Sequence, residues 1–169
     1  GKAFYQTKPC VVSDHVTMLT LKDRELNVYI ALYLIGVIEQ LVANYGFGRE
    51  MSDKRLKNEK IALPVDQDGQ IDYKYMESKI VELSKKIVFE KKIKKVKYHL
   101  KLKDREWEEF NIGEVFCFNN GTHKSEITSV ENSKEIYYVS TSSKNNGVME
   151  YIKSEKKLSN AIIIGKVGM

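Results

Sequence analysis

The sequence predicts an α/β or α+β domain built on a mixed sheet of short strands, from which a long helix projects. Three observations lead to this prediction. Short runs rich in β-branched residues lie near both ends of the chain, at residues 10–21 and 161–164. One nearly continuous apolar run, residues 28–43, has the length of a buried helix. A lysine-rich run, residues 72–105, contains neither proline nor glycine.

The composition fits one soluble globular core. The chain has 169 residues, of which 42% are hydrophobic and 30% charged, and a net charge of +5. Its two cysteines are far apart in sequence and belong to no recognisable zinc spacing, so we expect buried thiols in a reducing cytoplasm. No signal peptide is recognisable at the start, and no apolar run is long enough to span a bilayer.

The first segment, residues 1–71, is predicted to begin with strands over residues 3–21, which include His15 and a turn at Lys8 and Pro9. Asn27 then caps a buried helix that runs to about residue 44. A glycine-containing loop leads into a short basic helical turn over residues 52–58. A strand over residues 60–65 and an Asp-rich turn over residues 66–69 complete the segment.

The second segment, residues 72–105, is predicted to be one helix of roughly 45 Å that begins at Asp72. From Tyr75 to Arg105 it carries ten lysines and one arginine against three glutamates and one aspartate. Its apolar positions are spaced by three and four residues with charged flanks, as in a coiled-coil surface. The predicted seam consists of Met76, Ile80, Leu83, Ile87, Ile93, Val96 and Leu100. The alternative is a solvated amphipathic helix that lies on its own domain.

The third segment, residues 106–169, begins with a compact run at Trp107 and Phe110. A polar loop over residues 119–125 follows. Strands are then predicted at residues 136–139, 148–152 and 161–164, with a second polar loop at residues 140–147.

The sequence offers little support for catalysis. The run Gly165-Lys-Val-Gly lacks the spacing of a phosphate-binding loop, and no helix follows it. The histidines, His15, His99 and His123, are not near a nucleophile motif. There is no Asn/Asp-Pro-Pro-Tyr motif and no glycine-rich cofactor motif. We therefore expect a protein without enzymatic activity, cofactor or metal.

Several stretches together resemble the DNA-specificity subunit of type I restriction-modification systems and the recognition domains of some type II enzymes. The most informative are Trp107-Glu-Glu-Phe-Asn-Ile-Gly-Glu-Val-Phe, Ser143-Lys-Asn-Asn-Gly-Val-Met-Glu-Tyr-Ile and Asn160-Ala-Ile-Ile-Ile-Gly-Lys-Val-Gly. Phe4-Tyr-Gln, the Ser13-Asp-His run, Tyr45-Gly-Phe-Gly-Arg and Ile61-Ala-Leu-Pro-Val add to them. Each stretch is weak by itself, but their joint presence over nearly the whole chain is fairly specific.

The order of these stretches departs from the family pattern, in which the Trp-x-x-Phe run comes first and the long helix last. Two explanations fit the order. The chain is either a circularly permuted domain, or a segment that spans the back of one domain and the front of the next. The single complete set of stretches favours permutation, with segments 1–71 and 106–169 forming one target-recognition domain around the arm at 72–105.

The resemblance implies a DNA-binding specificity subunit, or half-subunit, that recognises double-stranded DNA and positions a DNA adenine methyltransferase subunit. A restriction subunit is a further implied partner. A chain with one domain and one arm would form a homodimer, arm to arm, and would recognise an inverted repeat. The alternative function is an oligomerisation module that uses the coiled-coil arm and does not bind DNA.

Recognition of DNA requires cations that neutralise phosphates and short polar groups that reach base edges. The chain offers both types of group in its loops and in the basic turn, although each residue is equally typical of a solvated surface. The candidate DNA-binding residues are Arg49, Lys54, Arg55, Lys57, Thr122, His123, Lys124, Ser125, Ser143, Lys144, Asn145, Asn146 and Lys166.

Overall fold

A computed structural model of the chain describes residues 2–42, 45, 51–90, 105–127, 135–142, 144–154 and 157–166. Nine strands and four α-helices occur in these ranges. In chain order they are β1 (Ala3–Gln6), β2 (Cys10–Val12), β3 (Val16–Leu21), α1 (Val28–Val42), α2 (Asp53–Asn58), β4 (Lys60–Pro64), α3 (Tyr73–Glu90), β5 (Trp107–Asn111), α4 (Ile112–Val115), β6 (Phe116–Asn120), β7 (Glu135–Val139), β8 (Val148–Lys153) and β9 (Ala161–Gly165).

The strands form three small sheets, which confirms the predicted α+β class. An antiparallel four-stranded sheet has the order β1-β9-β3-β6. A three-stranded sheet has the order β2-β7-β8, with β2 parallel to β7 and β7 antiparallel to β8. Strands β4 and β5 form a separate antiparallel pair.

The core lies on both faces of β9. Ile162 and Ile164 belong to the cluster that contains Leu34 of α1, whereas Ile163 belongs to a second cluster with Met18 and the second sheet. All of these side chains are at most 2% exposed. A strand that is buried on both faces needs apolar residues at every position, and this explains the continuous run of isoleucines.

The predicted single helix over residues 72–105 is wrong in its extent. Helix α3 runs over Tyr73–Glu90, but Arg105 lies back at the start of that helix. Its guanidinium is 3.1 Å from the Asp72 carboxylate and 5.0 Å from the centroid of the Tyr75 ring. A straight helix would separate residues 72 and 105 by roughly 50 Å. Residue 105 therefore lies next to the residue at which the arm begins, and a single straight helix over residues 72–105 is excluded.

The residues of the predicted seam differ in their burial. Met76 is fully buried within the chain's own main cluster, whereas Ile80 and Leu83 are half-buried. The side chain of Ile87, and the residues Ile93, Val96 and Leu100, lie outside the described part of the chain.

Strand pairs join the segments that precede and follow the arm. Pro64 of β4 is paired with Trp107 of β5. Likewise β1 is paired with β9, and the Gly165 N–H donates to the Lys2 carbonyl at 3.3 Å. Among the described helices, none is long and apolar enough to cross a membrane.

Candidate functional site

The ends of five strands meet at one edge of the two larger sheets. There β2, β6, β7 and β9 end and β3 begins, because β3 runs antiparallel to β6 and β9. The loops that follow these strand ends are polar. We call this edge the polar rim and define it by Ser13, Asp14, His15, Thr122, Ser140, Thr141 and Lys166.

Backbone hydrogen bonds hold the rim together. The Thr122 N–H donates to the Val12 carbonyl and the Lys166 N–H to the His15 carbonyl, both at 2.9 Å. The hydroxyl of Ser13 donates to that of Ser140 at 3.2 Å. These bonds place the first polar loop, the second polar loop and Lys166 around one short turn between β2 and β3.

Gly121 fixes the first polar loop against this turn. A Cβ atom at this position would lie 1.8 Å from the Ser13 carbonyl oxygen and 2.6 Å from that of Val12. Only glycine allows the two backbones to approach this closely. Glycine at position 121 therefore allows the first polar loop to pack directly against the turn between β2 and β3.

Helix α2 is fixed to the rim through Asp53. The Thr17 hydroxyl donates to the Asp53 carboxylate, which also pairs with the Lys166 ammonium at 3.2 Å. Ser52 caps the helix by accepting from the Arg55 N–H at 3.3 Å. The helix that carries the exposed Lys54, Arg55 and Lys57 is thus attached to the rim.

In the first polar loop, Lys124–Glu126 form a 3₁₀ turn that leaves His123, Lys124 and Ser125 exposed. The imidazole Nδ1 of His123 lies 2.6 Å from the Ser125 hydroxyl. The Lys124 ammonium pairs with Glu150 of β8 at 2.6 Å. The loop is therefore shaped by its own side chains and tied to the three-stranded sheet.

The second polar loop connects β7 to β8 through a 3₁₀ turn at Asn145–Gly147. Asn145 and Asn146 both have φ of 50°, and Gly147 has φ of 77°. The Asn145 amide donates to the Val148 carbonyl at 3.3 Å, so it serves the turn itself. The Asn146 side chain and Lys144 are exposed.

The structure brings α2, Thr122 and Lys166 to the polar rim, with the two polar loops on either side. Arg49 and Ser143 lie outside the described residues. Lys166 was predicted as a DNA contact but is paired with Asp53, so in the free chain its charge is partly neutralised.

Sequence reasoning missed Asp53 and Ser13, and it placed His15 inside a strand. His15 instead lies in the exposed turn between β2 and β3. Among these residues, only Ser52-Asp53 could have been identified locally, because this pair is typical of a helix start. The other contacts join parts of the chain that are distant in sequence.

Two titratable groups with shifted pKa values lie on strands that end at this edge. Burial, and then the Asp14 carboxylate, raise the pKa of the Tyr138 hydroxyl above its ordinary value. Burial raises the pKa of the Cys10 thiol to about 12, so this cysteine stays protonated at neutral pH. Within the described ranges, no group of three or more histidine, cysteine or carboxylate side chains is placed to hold a metal ion.

Comparison with known proteins gives two matches. A family model described as the type I restriction modification DNA specificity domain matches residues 1–96, more than half of the chain. The chain is also 34% identical over 85 residues to the Type II restriction enzyme BgcI specificity subunit S.BcgI of Heyndrickxia coagulans. That match covers 50% of the chain and 25% of the relative's length. No solved structure matches the chain.

Proposed function

We propose that the chain recognises a DNA sequence on behalf of a restriction-modification enzyme, because it belongs to the family of type I restriction-modification DNA specificity domains. One structural observation carries the proposal beyond family membership. The exposed cations of α2 and the two polar loops, which are distant in sequence, are held around the same rim. Phosphate-neutralising and base-reaching groups are needed together on one surface for duplex recognition.

The roles of the candidate residues follow from their exposure. Lys54, Arg55, Lys57 and Lys144 are exposed cations and are suited to phosphates. Among the short polar groups, Thr122, His123, Ser125 and Asn146 are suited to base edges. Lys124 and Lys166 already have carboxylate partners, so each must exchange a carboxylate for a phosphate to contact DNA.

The partners are inferred from the family. In this proposal the chain itself has no catalytic activity, and a DNA adenine methyltransferase subunit modifies the site, with a restriction subunit as a further partner. The pairing of β1 with β9 supports a single recognition domain formed by residues 1–71 and 106–169 in permuted order. The half-buried Ile80 and Leu83 on α3 support a homodimer that forms through the arm. The alternative, an oligomerisation module without DNA binding, predicts no enriched DNA sequence in the selection described below.

The proposal is tested by selection from random-sequence duplex DNA, with the methyltransferase subunit present and absent. We expect an enriched motif and an affinity that falls steeply as salt increases. Replacing Lys54 or Lys57 by alanine should reduce the magnitude of the slope of log affinity against log salt by about one for each replacement. Lys74→Ala, an exposed lysine at the start of α3, is the matched control and should leave the slope unchanged. If no motif is enriched even with the partner present, the proposal is wrong.

A further inference from the structure

A cavity of about 240 Å³ opens beside the second polar loop. We call it the tyrosine cleft. The second polar loop lies between the tyrosine cleft and the polar rim. At one end of the loop Ser140 bonds to Ser13 of the rim, and near the other end Asn146 lines the cleft. The residues that define its chemistry are Gln6, Lys8, Tyr137, Asn145, Asn146 and Tyr151.

One wall of the tyrosine cleft is aromatic. Tyr137 and Tyr151 are directly opposite in the β7–β8 register, with ring centroids 5.2 Å apart and planes inclined by 62°. Tyr151 is 61% exposed, so its ring is open to solvent and to a ligand. Exposed aromatic rings beside a cationic groove provide stacking surfaces for unpaired bases.

The opposite wall is formed by amides. Gln6 is 5% exposed, and its side-chain amide donates to the Asn146 carbonyl at 2.9 Å, which fixes the loop. Asn145 and Asn146 are consecutive non-glycine residues in the left-handed conformation. Asparagine tolerates this conformation, so the two residues define the shape of the turn that borders the cleft. The Asn146 side chain is exposed and offers a donor and an acceptor.

Lys8 provides the positive charge. Its ammonium lies 5.6 Å from the centroid of the Tyr137 ring. The hydrogen bond between these two side chains raises the pKa of Lys8 and lowers the pKa of Tyr137. Lys8 is therefore charged at neutral pH and is suited to contact a phosphate at the mouth of the cleft.

We propose that the tyrosine cleft takes a single deoxynucleotide that is unstacked from the bound duplex. The base lies against Tyr151 and Tyr137, its edge meets the amides of the second loop, and its phosphate meets Lys8. A stacked base in an intact duplex has both faces covered, so only an unstacked base reaches these rings. The cleft volume is below the roughly 300–1,000 Å³ that is typical of drug-sized ligands and suits one nucleobase. This inference rests on the proposed function.

The first test compares two tyrosine variants on the duplex enriched by selection. Tyr151→Ala removes the exposed ring of the cleft, and Tyr29→Ala removes another exposed ring from α1, where Tyr29 is 43% exposed. We expect Tyr151→Ala to bind roughly 5- to 150-fold more weakly, the range measured for base–aromatic stacking. Tyr29→Ala should bind like the unmodified chain. Circular dichroism of both variants verifies that the fold is retained.

The second test separates stacking on an unpaired base from ordinary surface contact. Each base pair of the enriched duplex is replaced in turn by a mismatch. We expect one position at which the mismatch tightens binding, by about tenfold, because the cost of unpairing is already met there. Tyr151→Ala should lose this gain, and Tyr29→Ala should keep it.

The outcomes distinguish the two proposals. If a duplex is enriched but no mismatch tightens binding, or if Tyr151→Ala binds as tightly as Tyr29→Ala, the cleft does not take a base and the proposed function stands. If no duplex is enriched, both proposals are overturned.

Discussion

Helices α1 and α3 begin in the same way but are held by the protein differently. Asn27 caps α1 by accepting from the Tyr29 and Ile30 N–H groups at 3.0 Å, and Asp72 caps α3 by accepting from the Tyr75 N–H at 2.9 Å. Along α1 the buried side chains are Ile30, Ala31, Leu34 and Ile38. Along α3 only Tyr73 and Met76 are buried among the described side chains.

The difference shows that a cap and an apolar periodicity do not decide whether a helix belongs to the core. Helix α1 lies along the four-stranded sheet, so its burial continues for more than two turns. Helix α3 packs against α1, but only its first turn contributes buried side chains, and its later apolar positions are half-buried. A helix whose apolar positions are only half-buried is able to present part of its apolar face to a partner.

The largest expected effect tests this difference in burial. Leu34→Ala should lower the free energy of unfolding by about 2–5 kcal/mol, because it leaves a cavity in a fully buried site. Leu83→Ala should cost about 1 kcal/mol or less, since its site is half-buried. Urea denaturation measures both values, and alanine carries no helix-propensity penalty. Equal costs at the two positions would show that α3 is as much a part of the core as α1.

A smaller effect concerns the half-buried face of α3. Leu83→Glu should convert the proposed homodimer to a monomer, because it places a charge on the seam. Lys85→Glu changes an exposed position on the same helix and should leave the dimer intact. Sedimentation equilibrium at micromolar concentration measures both. A monomeric unmodified chain, or a dimer that survives Leu83→Glu, would contradict pairing through the arm.

The smallest expected effect is a pH dependence of α3. Hydrogen bonds from Lys86 and Lys79 hold the pKa of Glu82 below its ordinary value of 4.5. A carboxyl whose pKa is lowered by folding contributes stability above its unfolded-state pKa and loses it as the pH falls through the folded-state pKa. Glu82→Gln should therefore reduce helix content slightly at neutral pH and not in acid. Circular dichroism at 222 nm measures this difference, which should also shrink with added salt because the pair is exposed.

The elements that the sequence predicts well are those with local signals. Asn27 and the apolar run after it predict a helix over residues 28–44, and the observed helix is Val28–Val42. The Asp66 turn is confirmed, since the Asp66 carboxylate accepts from the Asp68 and Gln70 N–H groups at 3.0 and 2.9 Å. In both cases the residues that decide the conformation are neighbours in sequence.

The features that sequence reasoning missed depend on contacts between distant residues. Nothing near Trp107 indicates that it pairs with Pro64, and this pairing brings the arm back to its origin. The polar rim likewise needs the ends of β2, β6, β7 and β9 at one place, and strand order is not written in local periodicity. The short basic helical turn was predicted correctly, since α2 runs over Asp53–Asn58, but its attachment to the rim through Asp53 was missed.

The closed base of the arm has a consequence for how this domain varies. Strand β4 pairs directly with β5, and the Asp72 N–H bonds back to the Pro64 carbonyl at 2.8 Å. The excursion between the two strands thus leaves and re-enters the globule at a single point. Residues can be inserted into it or removed from it without moving either strand. The length of this excursion is therefore independent of the arrangement of the strands that carry the polar rim.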